Sequence, residues 1–160
     1  MFTATKLGRI SAFRRATGRA ENALTEAKPH EDPYWITYFD MAELEGTTGG
    51  RLLELAHHDK HLADEASERI SQAITLRHTG RLRSSALDQI GLAEARLIQG
   101  EIEEASRLGH QAAALVEQTP SDRVRVKLTE LYQHSNTYAD VPVIASLRDR
   151  IRSLCTAQRT

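Results

Sequence analysis

Leu92-Ala93-Glu94-Ala95-Arg96-Leu97-Ile98-Gln99-Gly100-Glu101-Ile102-Glu103-Glu104-Ala105-Ser106-Arg107-Leu108-Gly109-His110-Gln111-Ala112 is the stretch on which the fold turns. After its central glycine, Ile102, Ala105, Leu108, Ala112 and Leu115 recur at steps of three and four, which puts them on one face of a helix from Glu101 to Glu117. Before the glycine, Ala86, Ile90, Ala93 and Leu97 mark a helix from about Leu82 to Gln99. Gly100 stops the first helix and lets the chain fold back, because it carries no Cβ to oppose the turn.

The same reading extends in both directions. Downstream, Ser121 or Asp122 can cap a helix carrying Val124, Leu128 and Leu131 that ends near Ser135-Asn136. A further helix from about Asp140 to Ser153 carries Val141, Ile144, Leu147, Ile151 and Leu154, with Pro142 in the first turn. Upstream, Ala66, Ile70 and Ala73 define a helix from about Leu62 to His78. Asp32-Pro33 starts another whose face is Trp35, Phe39, Ala42, Gly46, Gly49 and Leu53. Its glycines admit two readings, close packing of a neighbour or a break that makes residues 33–56 two helices. Leu7, Ile10 and Phe13 before Thr17-Gly18, and Ala20, Ala23, Leu24 and Ala27 after it, predict a helix pair turning at Gly18. Four prolines and the lack of strand-type alternation leave an all-α chain of about seven or eight helices.

Helices joined by short connections imply antiparallel neighbours, and the chain repeats. Leu92-Ala93, Gly100, Ala105, Gly109 and Ala112 stand at the spacing of a tetratricopeptide repeat, whose small residues let two helices approach to about 8–10 Å. Ala23, Ala66, Ala105 and Ala145 fall 43, 39 and 40 residues apart. These intervals predict one domain over residues 1–160, a short right-handed solenoid with units of about 4–31, 32–80, 81–119 and 120–156.

One segment carries a more specific resemblance. Asp32-Pro33-Tyr34-Trp35-Ile36-Thr37-Tyr38-Phe39-Asp40 with Ala42-Glu43-Leu44, then Arg83-Ser84, Leu92-Ala93-Glu94-Ala95-Arg96-Leu97 and Gly100-Glu101, resembles the tetratricopeptide-like C-terminal region of actinomycete, Streptomyces-type, helix-turn-helix transcriptional regulators over roughly residues 20–155. The resemblance implies a regulatory domain that receives a peptide, protein or small-molecule signal and aids self-association. No helix-turn-helix segment precedes the repeats within these 160 residues, so the reading is of a piece of such a regulator or of a stand-alone repeat protein.

Composition narrows the class. The 21 basic and 22 acidic residues are interspersed and sum to −1, whereas a nucleic-acid module shows a basic stripe, so direct sequence-specific nucleic-acid binding is not expected. No stretch reaches the roughly 18–20 apolar residues of a membrane span, and no membrane partner is expected. A lone Cys155 closes no intramolecular disulfide and the N-terminus lacks an apolar signal core, which together predict a reducing, cytoplasmic setting.

No constellation of catalytic residues is legible, and no cofactor or metal is expected. His57 and His61, at i and i+4, could grip a metal if helical, but Leu55-Ala56 ends one helix and Asp64-Glu65 begins the next, so His57-His58-Asp59-Lys60-His61 reads as a solvated connector. Cys155 beside Leu154 reads as packing rather than a nucleophile. His30, His78, His110 and His134 fall near helix ends or on polar faces. Tyr34, Trp35 and Tyr38 form the one aromatic concentration, with Trp35 read as a core anchor and Tyr34 and Tyr38 as candidates for a binding groove. Arg83, Arg96, Arg123 and Lys127 are candidates for the same groove, since first helices of successive pairs line such a wall and arginine pairs bidentately with carboxylates. The expectation is a non-catalytic binding domain for a protein, peptide or small-molecule signal, part of or partner to a transcriptional regulator. The alternative is a stand-alone scaffold or dimerisation module, as a homodimer.

Overall fold

Helix-forming sequence becomes helix almost throughout. The computed structural model describes residues 4–26, 41–77 and 81–157, with side chains described for 9–22, 41–77 and 81–156. Within them lie seven α-helices, α1 (Ala4–Glu26), α2 (Met41–Ala56), α3 (Leu62–Leu76), α4 (Leu82–Gln99), α5 (Ile102–Gln118), α6 (Asp122–His134) and α7 (Pro142–Ala157), with a 3-10 turn at Ser135–Tyr138. No strand occurs among the described residues, and no helix among them is long and apolar enough to cross a membrane.

The punctuation follows the residues. Gly100 sits in the left-handed region at φ 80°. Its N–H donates to the Leu97 carbonyl at 3.1 Å and that of Glu101 to Arg96 at 2.8 Å, satisfying carbonyls that the end of α4 would leave orphaned. Ser121 caps α6 by accepting from the Val124 N–H at 3.4 Å. Pro142 is the first residue of α7, where a missing N–H costs nothing.

Two glycine readings are decided. α1 runs unbroken through Gly18, so the expected turn there is corrected. One glycine costs a helix interior only about 1 kcal/mol relative to alanine, too little to break a segment otherwise rich in alanine and arginine. α2 likewise continues through Gly46, Gly49 and Gly50, and the reason is close approach: a Cβ at Gly49 would stand 2.5 Å from Ile70 Cγ1. The expected helix start at Pro33, with Trp35 and Phe39, lies outside the described residues.

α2 packs most extensively on α3 and α4 on α5, with α3 on α4, α5 on α7, and α4 also against α2 and α6. Leu52, Ile70, Ile90, Leu128, Leu131, Ile144, Leu147 and Ile151 are fully buried. Each such side chain contributes about 1.5–3 kcal/mol on leaving water. Because α4 lies among α2, α3, α5 and α6, much of its length beyond the exposed first turn is buried. Its enclosed residues include Gly91, Ala93 and Ala95 but also Asp88 and Glu94.

Candidate functional site

At 3.6 residues per turn, Arg83, Leu87, Gly91 and Glu94 fall along one strip of α4. Its Arg83, Leu87 and Gly91 form the floor of a cleft of about 470 Å³ between α2 and α6. α2 contributes Glu43, Gly46, Thr47, Gly50, Arg51, Leu53 and Glu54, and α6 contributes Arg123 and Lys127. The structure therefore brings together three residues expected in a groove, Arg83, Arg123 and Lys127. Arg96 is not among them. It lies about 220° round α4 from Arg83, where it donates to Gln99 Oε1 at 2.9 Å. Tyr34 and Tyr38 lie outside the described residues.

Two cations in this cleft have no partner among the described residues. Arg83 and Arg123 are exposed and make no ion pair or side-chain hydrogen bond among the described residues. The others are engaged: Arg51 donates to Glu54 at 3.1 Å, and Lys127 lies 3.2 Å from Glu130.

Beneath the mouth sits a buried ion network that the sequence reading missed. Arg77, the residue that ends α3, has a side chain only 4% exposed and meets Asp88, 7% exposed. Its Nε donates to Asp88 Oδ2 at 2.6 Å and its Nη2 to Oδ1 at 3.3 Å. Its Nη1 donates to Glu43 Oε1. Gly46 makes room, since a Cβ there would lie 3.0 Å from both Arg77 Nη2 and Asp88 Oδ1.

Burial is the main influence on Asp88. It pushes the carboxyl up to about 6, with Glu43 adding and the Arg77 contacts opposing. A folded-state value above the ordinary 3.8 means that the folded chain holds this proton more tightly than the unfolded one. The stability it contributes is present below about pH 4 and is lost as pH rises through about 6. Wild type should therefore lose about 2 kcal/mol relative to Asp88→Asn between pH 4.5 and 7. Urea midpoints of both proteins at the two pH values measure this, and a pH-independent difference would contradict it.

A second polar group closes the far end of the strip. Glu94 is 2% exposed, its Oε1 has no hydrogen-bond partner, and its Oε2 lies 3.6 Å from His57 Nε2. The rings of His57 and His134 stack at 3.8 Å between centroids and 14° between planes. Burial holds the His134 imidazole below its ordinary value, with His57 and Lys127 acting in the same direction and Glu94 and Glu130 opposing.

The remaining candidates fall as follows. Residues 57–61 form the connector between α2 and α3, as the sequence predicts, with His58 and His61 exposed. Cys155 is half-buried, its Sγ 3.8 Å from Thr129 Oγ1. His110 is held by Arg150, which lies 3.1 Å from its Nδ1. His30 and His78 lie outside the described residues. No family model, curated protein or solved structure matches the chain.

Proposed function

We propose that the chain is a non-catalytic binding domain that holds an acidic peptide or protein segment in the α2–α4–α6 cleft, as the signal-receiving part of a transcriptional regulator or as its partner. The observation that carries this is the pair of exposed, unpartnered arginines, Arg83 and Arg123, on two helices of one cleft. An exposed guanidinium with all five donors free matches a carboxylate bidentately. The fold belonging to this reading is a short solenoid of antiparallel tetratricopeptide-like pairs. Contacts between successive helices support it, as does the pairing of Gly46 with Ala73 and of Gly49 with Ala66 across α2 and α3.

A labelled peptide of alternating Glu and Leu, and its Gln-for-Glu counterpart, supply the test by fluorescence anisotropy. The Glu peptide should bind more tightly, and Arg83→Ala and Arg123→Ala should each weaken it about tenfold with unchanged thermal midpoints, since a charged hydrogen bond contributes about 1.5–3 kcal/mol. Equal binding of both peptides, or retention within about twofold in both variants, would sink the reading.

A further inference from the structure

We propose that His57, Glu94 and His134 form a binding site for a divalent transition-metal ion of the zinc class. The three residues come from the connector after α2, the middle of α4 and the end of α6, yet one donor atom from each lies within 4.8 Å of the others. Two imidazole nitrogens and a carboxylate oxygen are a donor set that suits Zn²⁺, Co²⁺, Ni²⁺ and Cu²⁺.

Distance supports the assignment. Donors bound at about 2.0–2.2 Å in tetrahedral array stand about 3.3–3.6 Å apart, and His57 Nε2 lies 3.6 Å from Glu94 Oε2. The same 3.6 Å is too long for a hydrogen bond, so the histidine does not satisfy the carboxylate.

The unexplained group is Glu94 itself. Its side chain is 3% exposed and its second oxygen is buried without any donor among the described residues, an arrangement that is costly for a carboxylate. A bound cation removes that penalty. The two rings stack at 3.8 Å between centroids, which brings the imidazoles to one side of the carboxylate. Lys127, the nearby cation acting on His134, has its charge offset by Glu130 at 3.2 Å. Three protein donors leave at least one position of a four-coordinate ion for water or an incoming anion.

This proposal does not depend on what the cleft holds. Titrating tag-free, chelator-treated protein with ZnCl₂ in a calorimeter should give one ion per chain with a Kd of about 1 µM or tighter. CoCl₂ should develop visible absorption bands at the same stoichiometry. Glu94→Gln and His134→Ala should each weaken Zn²⁺ at least about 100-fold and abolish the Co²⁺ bands, while His61→Ala stays within about twofold. His57→Ala, whose side chain is 25% exposed, keeps the test decisive if Glu94→Gln fails to fold. Absence of saturation at about 1 mM Zn²⁺, or retention of affinity within about threefold in the folded ligand variants, overturns the site.

Discussion

Replacing Arg77 with methionine should cost the folded chain about 3–5 kcal/mol, a large fraction of a domain's total stability. Methionine fills much of the same space, so the loss is electrostatic rather than a cavity. With the guanidinium gone, the enclosed Asp88 loses the cation that neutralises it and still faces Glu43. Removing one partner of a buried pair leaves the other's desolvation uncompensated, which is why a pair of small net benefit becomes costly to break. Chemical denaturation of Arg77→Met beside Arg81→Met checks this. Arg81 lies 3.7 Å from the same Glu43 oxygen but has a side chain 36% exposed, so its loss should cost under about 1 kcal/mol. Equal midpoints for the two variants would contradict the network's role.

Gly49→Val should cost about 3 kcal/mol, whereas Gly50→Ala, at the adjacent position, should gain about 0.5–1 kcal/mol. Both remove a helical glycine and so gain propensity; the difference is what the new side chain meets. At Gly49 a Cβ lies 2.5 Å from Ile70 Cγ1, 3.1 Å from the Ile70 nitrogen and 3.2 Å from the Ala66 carbonyl oxygen. Backbone atoms cannot swing aside, so α2 and α3 must separate. At Gly50 nothing lies within 4 Å. Thermal melts decide the matter, and a stabilised Gly49→Val protein would mean that the helices yield freely.

Helix starts and stops were legible because each rests on one residue's local chemistry. Gly100 supplies the left-handed turn, Ser121 accepts the capping N–H and Pro142 opens α7. Gly18 misled the reading because a glycine signals a turn only where something else ends the helix, and the residues around it all favour continuation. Of the candidate groove residues, Arg83 and Arg123 line one cleft, while the place of Arg96 required knowing its position round α4. Asp88 and Glu94 were invisible for a different reason. They lie off the Ala86, Ile90, Ala93 and Leu97 stripe, where a polar residue ordinarily faces water, but four helices pack on α4 and enclose both positions. A usable signal did exist for the second cluster. His57, Glu94 and His134 stand 37 and 40 positions apart, close to the 39, 40 and 43 that separate Ala23, Ala66, Ala105 and Ala145.

The attachment of α1 has a consequence for how stability is distributed. Its described contacts with the body include packing on α2, the half-buried Ile10 and Phe13 and two bridges to α3, Arg14 to Glu65 at 2.8 Å and Glu21 to Arg69 at 2.6 Å. α4, by contrast, is enclosed by four helices. Coulombic tethers of this kind weaken as the Debye length contracts from about 10 Å at 0.1 M salt to about 3 Å at 1 M, whereas an apolar interior does not. Opening of α1 and global unfolding should therefore be separate events that respond differently to ionic strength. Amide protons of α1 should exchange faster as salt rises, through local opening, and those of α4 only when the whole molecule comes apart.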